Sequence, residues 1–193
     1  MRSKSILELT SCVCVLLATG GLLLACGGGG SRSSTMSPAP VCVSFAAVSG
    51  PAQGSVATQE AAASTCEVLA VDLMATNVTD LFTASFTATF DSSIVTYEGY
   101  DTGGSVLGSD GAQLQVLEQT QPGEVSLGIT RTGVTDGIDV GAPAALVRVY
   151  FRKTSADSGT TDLSYTSGSL LGSETPPLPK PGIQWVGGTM TLQ

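Results

Sequence analysis

The sequence contains no histidine, and this absence removes several kinds of chemistry. Ser-His-Asp and Cys-His catalysis both need an imidazole base, and metal sites lose their commonest ligand. Carboxylate pairs could in principle hydrolyse glycosides. However, Asp91, Asp101, Asp110, Asp136 and Asp139 fall in predicted turns, where Asp commonly accepts hydrogen bonds from nearby backbone amides. We therefore expect that the protein is not an enzyme.

Basic residues are also few. Eight Lys and Arg stand against 16 Asp and Glu, for a formal net charge of −8. Binding to nucleic acid depends on clustered Lys and Arg that neutralise phosphates. This balance argues against nucleic acid as a partner, and it suits a solvated, extracytoplasmic surface.

Aromatic residues make up 5% of the chain, and Trp185 is the single tryptophan. Sugar binding needs aromatic rings that stack on pyranose faces, and the chain offers only scattered rings for this. Trp185 follows a proline-rich segment, residues 174–181, and is the candidate for contact with carbohydrate. The alternative interpretation is that Trp185 is a core residue of the fold.

No cofactor is expected. Calcium is the one ion left open, because hard cations bind several loop oxygens. The loop residues that could converge on it are Asp101, Asp110, Asp136 and Asp139. No EF-hand loop of the D-x-D-x-D-G type is present, so turn formation is the alternative role for these acids.

The N-terminus has the pattern of a secretory signal. Arg2 and Lys4 precede an apolar run, CVCVLLATGGLLLAC, that is too short for a comfortable membrane span. The run ends in LLAC, which resembles the bacterial lipobox. The resemblance implies a signal peptide over residues 1–25, cleavage before Cys26, and acylation of the Cys26 thiol and of the new amino group. An ordinary cleaved signal or an uncleaved anchor is the alternative.

Residues 26–40 continue as a tether. After Cys26 the sequence GGGGSRSSTMSPAP cannot bury enough surface to offset the entropy of ordering it. Gly27, rather than Asp, after the cysteine is compatible with sorting to an outer membrane. We expect a lipid-anchored, extracytoplasmic protein of the cell envelope, at the outer membrane if the cell has one.

Five cysteines are present. Cys12 and Cys14 lie in the leader and Cys26 is the acylation site, which leaves Cys42 and Cys66. In an exported chain these two are expected to form a disulfide. By the chain-entropy model, closing such a loop stabilises a fold by about 3 kcal/mol.

Residues 81–95, LFTASFTATFDSSIV, alternate strictly between apolar and polar side chains. Phe82, Phe86 and Phe90 fall on one face with two alanines, and the other face carries hydroxyl groups. This period of two predicts a half-buried strand that ends in an Asp-Ser-Ser turn. With three of the five phenylalanines, the strand is expected to lie in the core of a β-sandwich.

Further strands are predicted at residues 41–47, 66–78, 95–100, 113–119, 124–131, 145–153, 160–165 and 183–192. Gln121-Pro122-Gly123 joins two of them, because Pro and Gly in the central positions suit a type II turn. Residues 48–65 are interpreted as a loop, with a short helical turn possible at residues 59–63. No amphipathic helix of useful length follows residue 66. The pattern predicts an all-β sandwich or jelly roll over residues 41–193.

The order of these segments resembles a cohesin domain. The matching runs are SFTATFDSSIVTYEGYDTGGSVLG, PGEVSLGITRTG, AALVRVYFRKTSADSGTTDLSYTSGSLLG and VGGTMTL. Ser92 departs from the pattern, because proline is frequent at that position in cohesins. The resemblance implies a jelly-roll β-sandwich of about nine strands, which carbohydrate-binding modules share.

In cohesins one flat sheet face meets a dockerin. The resemblance assigns to that face the strands at residues 83–89, 113–119, 124–131 and 146–152. The candidate contact residues are those taken to point outward: Thr83, Ser85, Thr87, Thr89, Arg131, Arg148, Tyr150 and Arg152. The expected partner is thus a dockerin-type protein. A carbohydrate-binding module that attaches polysaccharide to the cell surface and a structural envelope lipoprotein are the alternatives.

Overall fold

The computed structural model describes residues 40–49, 52, 54–134 and 136–193. The predicted signal peptide, Cys26 and most of the tether lie outside these residues. Within the described part of the chain, no helix is long and apolar enough to cross a membrane.

Thirteen strands and one short 3-10 turn, Val106–Gly108, are found in the described ranges. The strands are β1 Val43–Ala47, β2 Ser55–Glu60, β3 Val68–Thr76, β4 Val78–Leu81, β5 Thr83–Thr89, β6 Val95–Asp101, β7 Gln113–Gln121, β8 Glu124–Thr132, β9 Ile138–Val140, β10 Ala144–Lys153, β11 Gly159–Leu171, β12 Gln184–Val186 and β13 Gly188–Leu192.

Two large sheets and one ribbon contain these strands. The six-stranded sheet has the order β1-β13-β11-β5-β8-β7, the five-stranded sheet has the order β12-β2-β3-β10-β6, and β4 pairs with β9. The predicted all-β sandwich is confirmed. The structure divides it into more strands than the nine expected, partly because β2, β4, β9 and β12 are short elements that sequence pattern does not separate.

The core lies between the two large sheets, as the alternation in β5 predicts. Ala84, Phe86 and Ala88 are buried, while the intervening Thr and Ser residues of β5 are only half-buried. Phe90, just after β5, contacts Phe151 of β10 with ring centroids 5.2 Å apart. Burial of such apolar side chains contributes about 1.5–3 kcal/mol each, so this contact between the two sheets stabilises the sandwich.

The two faces of β10 differ from the prediction at one point. The register of β10 against β3 shifts between Ala145 and Val147. As a result Leu146 and Val147 are both buried, although strict alternation assigns Leu146 to the outer face with Arg148. An extra residue in one strand of an antiparallel pair changes the facing of its neighbours in this way. Strict alternation along the predicted strand at residues 145–153, which places Leu146 outward with Arg148, therefore fails at Leu146.

Strand β2 lies in the segment interpreted as a loop. Its residues Ser55, Val56, Ala57 and Thr58 are all buried, because β2 sits between β12 and β3 in the five-stranded sheet. Four consecutive buried residues leave no alternation to detect, and the small polar side chains resemble those of a loop. The helical turn considered at residues 59–63 is absent, since residues 59 and 60 end β2.

The disulfide between Cys42 and Cys66 is present, as predicted, with a Cα–Cα distance of 4.2 Å. It joins the residue before β1 to the segment before β3. Because β1 belongs to one large sheet and β3 to the other, the disulfide links the two sheets covalently at one end of the sandwich.

Candidate functional site

Four of the strands of the six-stranded sheet, β11, β5, β8 and β7, are adjacent, and their outer surface is rich in hydroxyl groups. Thr83 and Thr87 of β5 are hydrogen-bonded to the hydroxyls of Thr130 (2.7 Å) and Ser126 (2.8 Å) across the strand pair. Such cross-strand pairs hold the side chains in fixed positions. The surface therefore presents an ordered layer of neutral donors and acceptors.

Leu117 of β7 stands out from this surface. Its side chain is 70% exposed, and its cross-strand neighbour is Gly128, which has no side chain to cover it. A shallow depression of about 260 Å³ lies beside Leu117 and is bordered by Ser85, Thr87 and Ser126. Sequence analysis did not select Leu117, although its alternation with Gln115 and Gln119 places it on the outer face.

Two acids are the charged groups of this face, Glu124 at the hairpin end of β8 and Asp162 on β11. The Gln121 side-chain amide donates to Glu124 at 2.6 Å, and the Thr189 hydroxyl donates to Asp162 at 2.8 Å. The outer positions of β5 are Thr and Ser, and those of β7 are Gln and Leu. Neutral hydroxyls cost less to desolvate than ions, so a protein can cover the part of this face between the two acids at a low desolvation cost. We name the outer face of β11, β5, β8 and β7, with Leu117 near its edge, the hydroxyl face.

The predicted contact residues of β5 lie on the hydroxyl face, but Arg131 does not. Arg131 is 3% exposed and donates from Nη1 to the Leu107 carbonyl at 2.6 Å and from Nη2 to the Asp110 carboxylate at 2.5 Å. Its predicted outward position is wrong. The alternation of β8 contains the reason, because Arg131 shares parity with Val125, Leu127 and Ile129, which face the core. They are buried as well.

Arg148, Tyr150 and Arg152 belong to β10, which lies in the five-stranded sheet between β3 and β6. They are therefore not on the same face as the residues of β5, and the expectation that all eight residues form one surface is wrong. Arg148 donates twice to Asp72, at 2.7 and 3.1 Å, and Arg152 is paired with Glu98. Periodicity assigns a residue to a face of its strand, but it does not assign the strand to a sheet.

Trp185 packs against the core. Its ring lies 5.3 Å from that of Tyr165 and 5.8 Å from that of Phe86, measured between centroids. A Cβ atom added at Gly168 would come within 2.3 Å of the indole, so this glycine leaves the space that the ring fills. The indole nitrogen is buried and has no hydrogen-bond partner among the described residues. These contacts favour the core interpretation over sugar stacking.

The acidic residues considered for calcium make local contacts instead. Asp101 accepts from the amide of Gly103 at 2.7 Å, Asp110 from Arg131 and from the amide of Ala112, and Asp139 from the amide of Asp80 at 2.8 Å. No group of three or more His, Cys, Asp and Glu side chains arranged to hold a metal occurs in the described residues. Turn formation accounts for Asp101 and Asp110, whereas Asp139 lies in β9 and accepts its hydrogen bond from the paired strand β4.

No protein-family model matches the chain, and no curated protein matches it. Solved cohesins do share its fold. The second type II cohesin module from the adaptor ScaA scaffoldin of Acetivibrio cellulolyticus superposes with a TM-score of 0.53 at 12% identity, covering 77% of this chain and 88% of the cohesin.

Two further cohesins superpose with a TM-score of 0.50. The seventh ScaB type I cohesin from Pseudobacteroides cellulosolvens is 13% identical and covers 64% of this chain and 80% of its own. The third ScaC cohesin of Acetivibrio cellulolyticus, in complex with the ScaB dockerin, is 15% identical and covers 63% and 86%. The chain thus has the cohesin-like jelly-roll fold that its sequence pattern resembles, and at these identities the similarity establishes the fold alone.

Proposed function

We propose that the chain is a lipid-anchored, non-enzymatic binding module of the cell envelope, and that its hydroxyl face binds a dockerin-type protein. The observation that carries the proposal is Leu117, an exposed apolar side chain beside Gly128 on an ordered surface rich in neutral hydroxyl groups. Interfaces are commonly anchored by a few apolar side chains within a polar surround.

The fold supports a protein partner, since the ScaC cohesin that shares it was solved in complex with the ScaB dockerin. Three of the four strands that the sequence resemblance assigned to the dockerin-binding face, β5, β7 and β8, are adjacent in the structure. The outer positions of these three strands carry no aromatic ring, whereas a sugar chain would need exposed aromatic rings on which to stack.

Anchoring through Cys26 is supported by the order of charge, apolar run, lipobox and tether in the sequence. Several acyl chains on one residue would hold the protein stably, since each buried methylene contributes about 0.8 kcal/mol.

The test measures binding of purified type I and type II dockerin modules to the detergent-solubilised full chain, with calcium and after chelation. Leu117→Glu should lower the affinity for a dockerin by about 30-fold, because it places a charge at the anchor residue. This loss corresponds to about 2 kcal/mol of binding free energy. Leu178→Glu is the matched control, since Leu178 is also exposed (54%) but lies outside the hydroxyl face.

Equal losses in the two variants, or none in either, would contradict the assignment of the hydroxyl face. If no dockerin bound the unmodified chain while an insoluble polysaccharide retained it, the carbohydrate-binding alternative would replace the proposal. Failure of both ligands would favour a structural envelope lipoprotein.

A further inference from the structure

Strand β7 forms the free edge of the six-stranded sheet. It is nine residues long, pairs only with β8 among the described strands, and contains neither proline nor glycine. Most of its residues are exposed. A long regular edge strand presents unpaired backbone N–H and C=O groups and so provides a template for another strand.

The outer-face residues of β7, QLQVLEQTQ, are symmetric about its centre, whereas the inward pairs Leu114/Thr120 and Val116/Glu118 differ. Leu117 is the middle residue, and glutamines lie two and four positions to either side of it, at 113, 115, 119 and 121. An interface with two-fold symmetry needs this kind of self-complementarity, because each residue at position i meets a residue at the mirrored position of the second copy.

The backbone hydrogen-bonding pattern of β7 is also symmetric about Leu117. The two-residue loop after β7 is closed by a bonded pair, Gln121 and Glu124, and bonded pairs recur at every second residue of an antiparallel ladder. The odd-numbered residues of β7 therefore bond to β8, and Leu114, Val116, Glu118 and Thr120 direct their N–H and C=O groups to the free edge.

We propose that two copies of this chain pair antiparallel through β7, with the two-fold axis at Leu117. Val116 then exchanges backbone hydrogen bonds with Glu118 of the second copy, and Leu114 does so with Thr120. Leu117 meets its own counterpart in a non-bonded pair, the position where opposing side chains approach most closely. Two six-stranded sheets become one continuous sheet of twelve strands.

Glu118 limits the strength of this dimer. It is the one charged residue of β7, and in the proposed register the two Glu118 side chains lie diagonally across from each other on the inward face. Charges that point inward from an edge strand are a known protection against uncontrolled pairing. The dimer should therefore be reversible and should strengthen as salt screens the two carboxylates.

Cysteine cross-linking in the full chain tests the register. Leu117→Cys should form a disulfide-linked dimer under mild oxidation, whereas Leu178→Cys, on an exposed loop, should remain at the background set by the unmodified chain. Gln115→Cys and Gln119→Cys should each fail to cross-link alone, since equivalent residues would lie about 13 Å apart, but a mixture of the two should cross-link.

Two further variants test the edge by a concentration series of molar mass, measured by light scattering. Thr120→Pro removes an amide directed to the free edge and should abolish the dimer. Glu118→Gln removes the diagonal repulsion and should shift dimerisation to at least threefold lower concentration. Circular dichroism verifies that both variants fold.

Dimerisation through β7 does not depend on a dockerin-type partner, and Thr120→Pro distinguishes dimerisation from dockerin binding. A monomeric Thr120→Pro variant that still binds a dockerin separates the edge from the hydroxyl face. The dimer would be overturned by a monomeric mass at every concentration, by cross-linking of Leu117→Cys no faster than Leu178→Cys, or by cross-linking of Gln115→Cys alone. Pairing of β7 with a strand of a different protein in preference to a second copy would overturn it as well.

Discussion

Arg131 illustrates how a charged side chain becomes part of the sandwich core. It continues the inward alternation of β8, and its guanidinium reaches the carbonyl of Leu107 in the 3-10 turn and the carboxylate of Asp110 just beyond it. Hydrogen bonding from Arg131 is the main cause that lowers the pKa of Asp110. The residue therefore ties the end of β8 to the segment that leads into β7.

Replacement of Arg131 should destabilise the fold without involving a partner. Arg131→Ala leaves the Leu107 carbonyl unpaired in a buried site, and we expect the free energy of unfolding to fall by about 2–4 kcal/mol in urea denaturation. Asp110→Ala should cost less, because the Asp110 side chain is half exposed and water can replace it. A smaller loss for Arg131→Ala than for Asp110→Ala would contradict this role.

At the scale of the element, Asp80 holds the β4–β9 ribbon to the segment after β11. Its backbone has a φ of 51°, and its carboxylate accepts from the amide of Gly137 (3.1 Å), from the amide and hydroxyl of Ser173 (3.0 and 2.6 Å), and from Lys180 Nζ (3.2 Å). The hydrogen bonds from Ser173 are the main cause that lowers the pKa of Asp80 to about 2, and the hydrogen bond and positive charge of Lys180 lower it further.

This lowered pKa makes the contribution of Asp80 dependent on pH. A carboxylate with a folded-state pKa below its ordinary value of 3.8 stabilises the fold above that value, and the effect is lost as the pH falls from about 4 through 2. Asp80→Asn should lower the free energy of unfolding by about 1 kcal/mol at pH 6, allowing for solvent screening. The difference in unfolding free energy between the unmodified protein and Asp80→Asn should disappear near pH 2. A constant difference from pH 2 to 6 would contradict this role of Asp80.

The strands show which structural features follow from sequence. Alternation located β5, β8 and β10 because each has one more exposed face and one buried face. Pro122-Gly123 located the turn between β7 and β8, where Gly123 has a φ of 80°. The same signal failed for β2, which is buried on consecutive positions. It also left open which sheet contains β10, since that depends on pairing between residues far apart in the chain.

The candidate site was predictable to a similar extent. The hydroxyl side chains of β5 follow from period two, and so, in retrospect, does the inward position of Arg131. Alternation with Gln115 and Gln119 places Leu117 on the outer face, but its exposure also depends on the glycine opposite it on β8 and on β7 pairing only with β8 among the described strands. Both are properties of the assembled sheet.

At the scale of the whole molecule, the chain enters the sandwich far from the β7 edge. Cys42 and Gln193 exchange backbone hydrogen bonds of 2.7 and 3.0 Å, so the chain enters the fold beside β1 and β13. Strand β7 is at the opposite end of the same sheet, about 24 Å away over five strand spacings, whereas β11, at the near side of the hydroxyl face, is next to β13.

This arrangement makes attachment through Cys26 testable separately from binding. When the full chain is expressed in a bacterium with an outer membrane, we expect it to partition into the detergent phase of a Triton X-114 extraction, and its intact mass to include acyl chains on Cys26. Cys26→Ser should move the protein to the aqueous phase or leave it as an uncleaved precursor. Cys12→Ser and Cys14→Ser are matched controls, since they also replace leader cysteines but should leave acylation unchanged.

The outcomes separate the alternatives for the N-terminus. An unmodified chain in the aqueous phase, cleaved at another position, would indicate an ordinary secretory signal. A detergent-phase protein that retains residues 1–25 and carries no acyl chain would indicate an uncleaved anchor. Only acylation at Cys26 with loss of residues 1–25 supports the lipid anchor, because the stable membrane attachment that we propose requires several acyl chains on one residue.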